Sequence, residues 1–246
     1  MYILAIDTTG PVGSAALLDM ESGAVISRET DENRAHLKNL APMIREVTEE
    51  AGIEKKQIGF VAASVGPGSY TGIRIGVSTA RAVAQALDVP CVRAGTLDLF
   101  RQNCGEGQPA AVIFNARRGQ VYGAVFGEDG EDILAPGPYM LEDVTAAADR
   151  AGIDPVFYGD GIDAYAGHEK YGEYLKGRRF ADKEKRYQNA AMTARAAAGM
   201  IRRGETCTVN GLLPDYMRKT EAEQRLEDGS LARARERKMA RFIENK

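Results

Sequence analysis

Apolar and polar positions alternate along this chain with two different periods. Near the N-terminus the apolar runs are short. Tyr2 to Ile6, Val12 to Leu18 and Ala24 to Glu29 each read as a strand, with turns at Asp7-Thr8-Thr9-Gly10-Pro11 and at Asp19 to Gly23. The three predict an antiparallel meander. At His36 the period changes. Leu37, Leu40, Ala41, Ile44, Val47 and Ala51 fall on one helical face, which predicts a helix from His36 to Ala51 ended by Gly52. Pro42 lies inside it, removes a backbone donor and predicts a kink. Gly59 to Val65 is a continuous apolar run, the mark of a buried strand. A tight Gly/Pro turn comes next, then a long helical pattern ending near Asp88-Val89-Pro90. Cys91 to Arg93 reads as a short strand and Thr96 to Gln102 as a short helix capped by Thr96.

The polar stretch Asn103 to Pro109 reads as a domain boundary. Beyond it, Ala110 to Phe114 and Gln120 to Phe126 form a predicted hairpin around Asn115-Ala116-Arg117-Arg118-Gly119. Leu141 to Ala151 is a predicted helix, Val156 to Tyr158 a strand and Gly159-Asp160-Gly161 a turn. Residues 165–188 are polar and irregular, and Ala190 to Arg203 is an Ala-rich helix. Glu221 to Lys246 carries mixed charge with almost no apolar face, as a solvated helix or a disordered tail would. The order β-β-β-α-β-α with a weaker echo predicts a duplicated α/β architecture. On this reading 1–104 is an N-terminal lobe completed by the helix 190–203. Residues 105–189 form a smaller C-terminal lobe, and 204–246 a C-terminal segment with its charged tail from about 221.

Composition narrows the class. The chain has 246 residues, a net charge of −3, no Trp and three scattered cysteines. The charge argues against a generally basic nucleic-acid surface. Cys91, Cys104 and Cys207 have no metal-binding spacing and read as reduced thiols. No signal peptide and no membrane-length apolar run is apparent, so the expected location is the cytoplasm.

The most specific stretch is Gly66-Pro67-Gly68-Ser69-Tyr70-Thr71-Gly72-Ile73-Arg74-Ile75-Gly76. A Gly-rich turn into a helix suggests a phosphate cradle. The spacing is neither that of a P-loop, since no Lys-Ser/Thr succeeds the glycines, nor G-x-G-x-x-G. Ser69 or Thr71 can cap the helix. Gly72, Gly76, Ala80 and Ala84 form a stripe nearly free of side chains, which permits close packing. Arg74, Ser78, Arg81 and Gln85 form a separate polar stripe.

An Asp in a first hairpin turn is where sugar kinases, actin and the Hsp70 ATPase hold metal-phosphate, and Asp7-Thr8-Thr9 resembles that turn. Together with the 66–76 block, Asn115-Ala-Arg-Arg-Gly-Gln-Val-Tyr122 and Pro214-Asp-Tyr-Met-Arg218, it resembles the TsaB (YeaZ) family over residues 1 to about 225. The resemblance implies a two-lobed actin/Hsp70/sugar-kinase-like (ASKHA) fold with duplicated ribonuclease-H-like domains. It further implies a non-catalytic subunit that binds and activates the catalytic homologue TsaD, joined by the ATPase TsaE. Their assembly makes N6-threonylcarbamoyladenosine at position 37 of tRNA. TsaD binds a metal through His-x-x-x-His. The matching stretch here, Gly95 to Arg101, has no histidine, and His36 and His168 lie far apart. Family members tend to carry Asp where this chain has Asn115, which keeps the turn but not the charge. TsaD's Ser-Gly-Gly turn is also replaced by 115–119, where Arg117 and Arg118 offer cations to phosphate or RNA but read first as solvated.

No catalytic residue and no metal ligand is therefore assigned, and no cofactor is required. Asp7, Thr8 and Thr9 remain weak nucleotide candidates. His36, Leu40, Ile44, Arg74, Val77, Ser78 and Arg81 are the expected partner interface, on the two helices that the resemblance places there. Homodimerisation of the isolated chain is left open, and tRNA contact is expected only through the complex. Two alternatives stand beside this reading: a free-standing kinase or ATPase of the actin/Hsp70 class, and a metallopeptidase.

Overall fold

The computed structural model describes residues 1–30, 36–104 and 108–217, with the side chains of 36–39 outside that description. Residues Met1–Asp215 form one compact unit and Tyr216–Lys246 a second. Beyond Met217 that second unit, with the expected tail from 221, lies outside the described residues.

Within the first unit the chain builds two five-stranded sheets on one plan. Strands β1 (Tyr2–Asp7), β2 (Ser14–Asp19) and β3 (Val25–Glu29) form an antiparallel meander. Strands β4 (Ile58–Gly66) and β5 (Cys91–Gly95) add in parallel beside β1, giving the order β3-β2-β1-β4-β5. The second sheet repeats this. Strands β6 (Ala110–Asn115), β7 (Gln120–Phe126) and β8 (Asp132–Met140) form the meander. Strands β9 (Val156–Tyr158) and β10 (Arg179–Phe180) lie parallel beside β6, and the order is β8-β7-β6-β9-β10. The echo in the second half is thus a repeat of topology, with the second pair of parallel strands much shortened.

Both faces of the first sheet are covered, and period-2 alternation assigns its side chains. Ile3 and Ala5 of β1 face helix α5 (Ala190–Arg202), whose Ala190, Ala194, Ala197 and Ala198 are buried against them. The alanines repeat at helical spacing, and their small volume brings the helix close to the sheet. Leu4 faces the other way, with Leu17, Ile58 and Val47 of helix α1 (His36–Glu50). Val83 and Leu87 of helix α2 (Tyr70–Leu87) pack there too. A strand buried on both faces has no polar alternation, which is why β1 and β4 read as unbroken apolar runs.

The second sheet is covered on one face by α3 (Leu141–Arg150) and α4 (Gly161–Tyr165), with Ile113, Val121, Phe157 and Ile162 in the core between. Phe100, from a 3-10 turn at Asp98–Asn103, is fully buried and packs edge-on to Phe114 of β6 at 5.9 Å between ring centres.

Three local expectations change. Pro42 does not interrupt α1, which runs from His36 to Glu50. Thr96 is not a cap: the turn after it is 3-10, its N-cap is Leu97, and the buried Thr96 hydroxyl has no partner among the described residues. The hydrophobic pattern predicts no strand at β8, because Pro136, Gly137 and Pro138 interrupt it. β8 is an edge strand, where a missing N–H on the open side costs nothing.

Candidate functional site

The repeated topology places two hairpin turns on either side of one cleft of about 730 Å³. Thr9 and Gly10 come from the β1–β2 turn, and Asn115, Ala116 and Arg117 from the β6–β7 turn. Ser69 and Tyr70 at the start of α2, with Asp160 and Gln188, complete much of its lining.

The first turn is closed by its own structure. Asp7 is completely buried. Its Oδ1 accepts from the Thr9 amide and the Thr9 hydroxyl, both at 2.8 Å, and its Oδ2 from the Ser64 hydroxyl at 2.6 Å. Ser64 in turn lies 2.8 Å from the Thr193 hydroxyl on α5. Burial pushes the Asp7 carboxyl above its ordinary range, and the bonds from Ser64 and Thr9 pull back only part of that shift.

Helix α2 seals the turn from the other side. Ser69 is its N-cap, accepting from the Gly72 amide at 3.2 Å, which settles the choice between Ser69 and Thr71. The Thr8 hydroxyl donates to Gly72 O at 2.6 Å, and the Ser69 amide donates to Thr9 O at 2.8 Å. A Cβ on Gly72 would lie 1.8 Å from Thr8 O, and one on Gly76 would lie 2.4 Å from the Thr8 hydroxyl. The small-residue stripe therefore admits the β1–β2 turn.

Asp7 and Thr8 are corrected as nucleotide contacts. They are enclosed by these bonds and by the glycines, and no ligand oxygen can reach them without opening the turn. Thr9 lines the cleft, but its amide is taken by Asp7 and its hydroxyl accepts from Gln188 Nε2 at 3.2 Å.

Four amides of the second turn, those of Asn115, Ala116, Arg117 and Gln120, are also satisfied within the protein. Asn115 N–H donates to Asp160 Oδ1 at 2.9 Å and Arg117 N–H to Asn115 Oδ1 at 2.8 Å. Ala116 N–H donates to Gln120 O and Gln120 N–H to Arg117 O, each at 3.0 Å. Tyr165 donates its hydroxyl to Asn115 Oδ1 at 2.8 Å. These amides would cradle a phosphate in an open turn of this kind; here they are occupied. Burial raises the Asp160 carboxyl above its usual range, with the Asn115 bond acting against it and the nearby Asp163 charge with it.

Asn115 is thus a structural turn residue. Gly159-Asp160-Gly161, weak as a sequence signal, supplies the acceptor that holds it. Gln188 was missed, because nothing in the polar stretch 165–188 marks a glutamine that becomes buried against a distant turn. Among the described residues no group of three His, Cys, Asp or Glu side chains is arranged to hold a metal. Asp98 accepts from Arg101 Nε at 2.9 Å.

The expected partner face divides. Leu40 and Val77 are corrected: each is only 2% exposed, packed inside the protein's own core. Ile44 is half-buried beside Leu4 and Val47. Arg74 and Ser78 are exposed, and Arg81 is half-buried with Nη2 3.5 Å from Asn210 Oδ1. The side chain of His36 lies outside the described residues.

Comparison with known proteins fits this geometry. The profile of the family described as "TsaD: tRNA N6-adenosine threonylcarbamoyltransferase" matches residues 25–224. The "tRNA threonylcarbamoyladenosine biosynthesis protein TsaB" of Bacillus subtilis is 29% identical over 91% of this chain and 96% of its own length. The protein of that name in Escherichia coli is 31% identical over 55% of this chain and 63% of its own. The chain belongs to this family, in its TsaB/YeaZ branch. The structure described as "YeaZ from Pseudomonas aeruginosa" superposes with a TM-score of 0.69 at 26% identity, covering 87% of this chain and 99% of that one. A second structure from that organism, described as having similarity to peptidase YEAZ, gives 0.74 at 28% identity, covering 88% and 99%. The fold is mixed α/β, with two five-stranded sheets of one topology. No helix among the described residues is long and apolar enough to cross a membrane.

Proposed function

We propose that this chain is a non-catalytic partner subunit in the synthesis of N6-threonylcarbamoyladenosine on tRNA, binding and activating a TsaD-like catalytic subunit together with a TsaE-like ATPase. One observation carries the reading. The Asp7 carboxylate and the Thr9, Asn115 and Arg117 amides, groups that an ATP-using relative would turn toward metal-phosphate, are each bonded within the protein here. The fold is kept and its chemistry is closed, which suits a protein whose task is to present surfaces. In this reading the chain needs no cofactor of its own, and any nucleotide in the cleft is weakly held through the Thr9 side.

The surface proposed for the partner is the exposed side of α2 at Arg74 and Ser78, continued by the half-buried Ile44 on α1 and Arg81. The same face serves a self-pair when the partner is absent.

Co-purification with the TsaD-like subunit and reconstitution of the modification on a tRNA transcript test this. Product formation that stops when the chain is omitted is the expected result. Full activity without it overturns the reading, as does ATP turnover by the isolated chain with Mg²⁺.

A further inference from the structure

The β6–β7 turn has an unexplained backbone. Arg117 and Arg118 both have positive φ, at 68° and 55°, with Gly119 next at 77°. The Gln120 N–H to Arg117 O bond makes Arg118 and Gly119 the central pair of a turn with the φ signs of type I′. Asn, Asp or Gly are the residues that adopt this conformation without strain. Two arginines are held there by force of context. Asn115 Oδ1 grips the Arg117 amide, Tyr165 grips Asn115, and the Leu141 amide donates to Gly119 O at 2.9 Å. Strain maintained by so many bonds points to a use for the side chains.

Both side chains are exposed, and Arg117 lines the cleft. Among the described residues neither Arg117 nor Arg118 has a carboxylate partner, a state shared with Arg45, Arg93, Arg150, Arg195 and Arg202, but these two alone stand side by side at positive φ. The acids around the turn are engaged elsewhere. Asp160 accepts from the Asn115 amide, Asp163 from Arg186 and Tyr187, and Glu142 from Tyr174. An aromatic strip lies beside Gly119, the residue that succeeds the two arginines. Gly119 abuts the Tyr171 ring, which lies 4.7 Å from the exposed His168 ring, with the Lys170 ammonium 5.3 Å from the Tyr171 ring centre. Exposed cations suit phosphates, and the exposed His168 ring beside Tyr171 suits an unstacked base. An acidic peptide would use only the cations.

We propose that the Arg117–Arg118 turn, with the His168–Tyr171 strip, is a direct contact site for the phosphodiester backbone of RNA, in the first instance the tRNA being modified. The site rests on the partner-subunit reading, and places this chain against the substrate as well as against the catalytic subunit.

The strain itself supplies a clean variant. Glycine is at ease at positive φ, so Arg117→Gly with Arg118→Gly removes both cations while preserving the turn. The full chain, alone and co-purified with the TsaD-like subunit, is titrated with a labelled unmodified tRNA transcript across a salt series. The expected variant melts no lower than the parent and co-purifies undiminished. It binds the transcript about tenfold or more weakly, and the slope of log affinity against log salt shrinks by about 1.5 for two lost contacts. His168→Ala should weaken binding by a smaller factor without changing the slope. Unchanged affinity and slope in the double variant overturn the proposal. So does a variant that keeps RNA affinity and loses co-purification, which makes the turn a protein contact, or one that loses only ATP binding. Failure of the parent to co-purify overturns the partner-subunit reading instead, and the titration of the chain alone then still decides the RNA site.

Discussion

The β1–β2 turn and the β6–β7 turn hold the same place in two copies of one topology, yet they have been driven to opposite ends. The first contains a carboxylate, and it is buried, fully bonded and clamped by a helix without side chains on the facing stripe. The second contains two cations, and it is exposed, unpaired among the described residues and strained. The difference lies in the helix that each sheet sets against its turn. The first sheet has the long α2, which starts beside the turn and closes on it. The corresponding element of the second sheet, α4, spans only Gly161–Tyr165 and holds its turn through the Tyr165 hydroxyl, which bonds Asn115 and Gln120, and through its N-cap Asp160. One plan thus yields a rigid closed end and an open presenting end.

Breaking the closed end should have the largest effect. Gly72→Ala drives a methyl to 1.8 Å from the Thr8 backbone O, a contact no side-chain rotation can relieve. A loss of about 3 kcal/mol in denaturant unfolding is expected, and a loss under 1 kcal/mol would show that α2 floats over the turn.

Asp7→Ala comes next. It leaves the Thr9 amide, the Thr9 hydroxyl and Ser64 without their shared acceptor, at a cost of about 2–3 kcal/mol. Asp7→Asn separates hydrogen bonding from charge. The folded Asp7 carboxyl is raised above its value of 3.8 in the unfolded chain, so the folded state holds its proton more tightly. Its contribution to stability is complete below pH 3.8 and is lost as pH rises through the folded value. The folded chain thus accommodates the protonated Asp7 better than the ionised one, relative to the unfolded chain. Asp7→Asn should flatten the fall in stability from acid toward neutral pH, read by thermal melts across that range; an unchanged slope would mean that Asp7 is not the group titrating.

At the open end the sign reverses. Arg118→Gly relieves an unfavourable backbone and should raise stability by about 0.5–1 kcal/mol, with the entropy of the added glycine working against it. A destabilised variant would show that the arginine side chain packs. The smallest effect is expected between the two sheets, at Thr96. Thr96→Val replaces a buried hydroxyl that has no partner among the described residues and should leave stability unchanged or raise it by up to about 1 kcal/mol. A loss above that size would reveal a hydrogen bond to the hydroxyl.

Much of this molecule was legible in the chain. Strands β1, β4 and β6 announce themselves because burial on both faces or in a hairpin leaves long apolar runs, and α2 and α5 because Gly and Ala recur at helical spacing. The family was legible from the 66–76 block. Harder to read were elements whose residues do not obey a burial pattern. Strand β8 is an edge strand carrying two prolines, and β10 has only two residues.

Periodicity, turn chemistry and motif determined the repeated α/β plan and the family. They also showed that Gly72 and Gly76 make a surface for close approach. What approaches was decided by tertiary structure, as were the enclosure of Asp7, the seating of Leu40 and Val77 in the core and the convergence of Gln188 on Thr9. A local pattern reports how each segment divides between inside and outside. It carries no information on which distant backbone fills a stripe, or on whether a polar side chain meets a ligand or another part of the same chain.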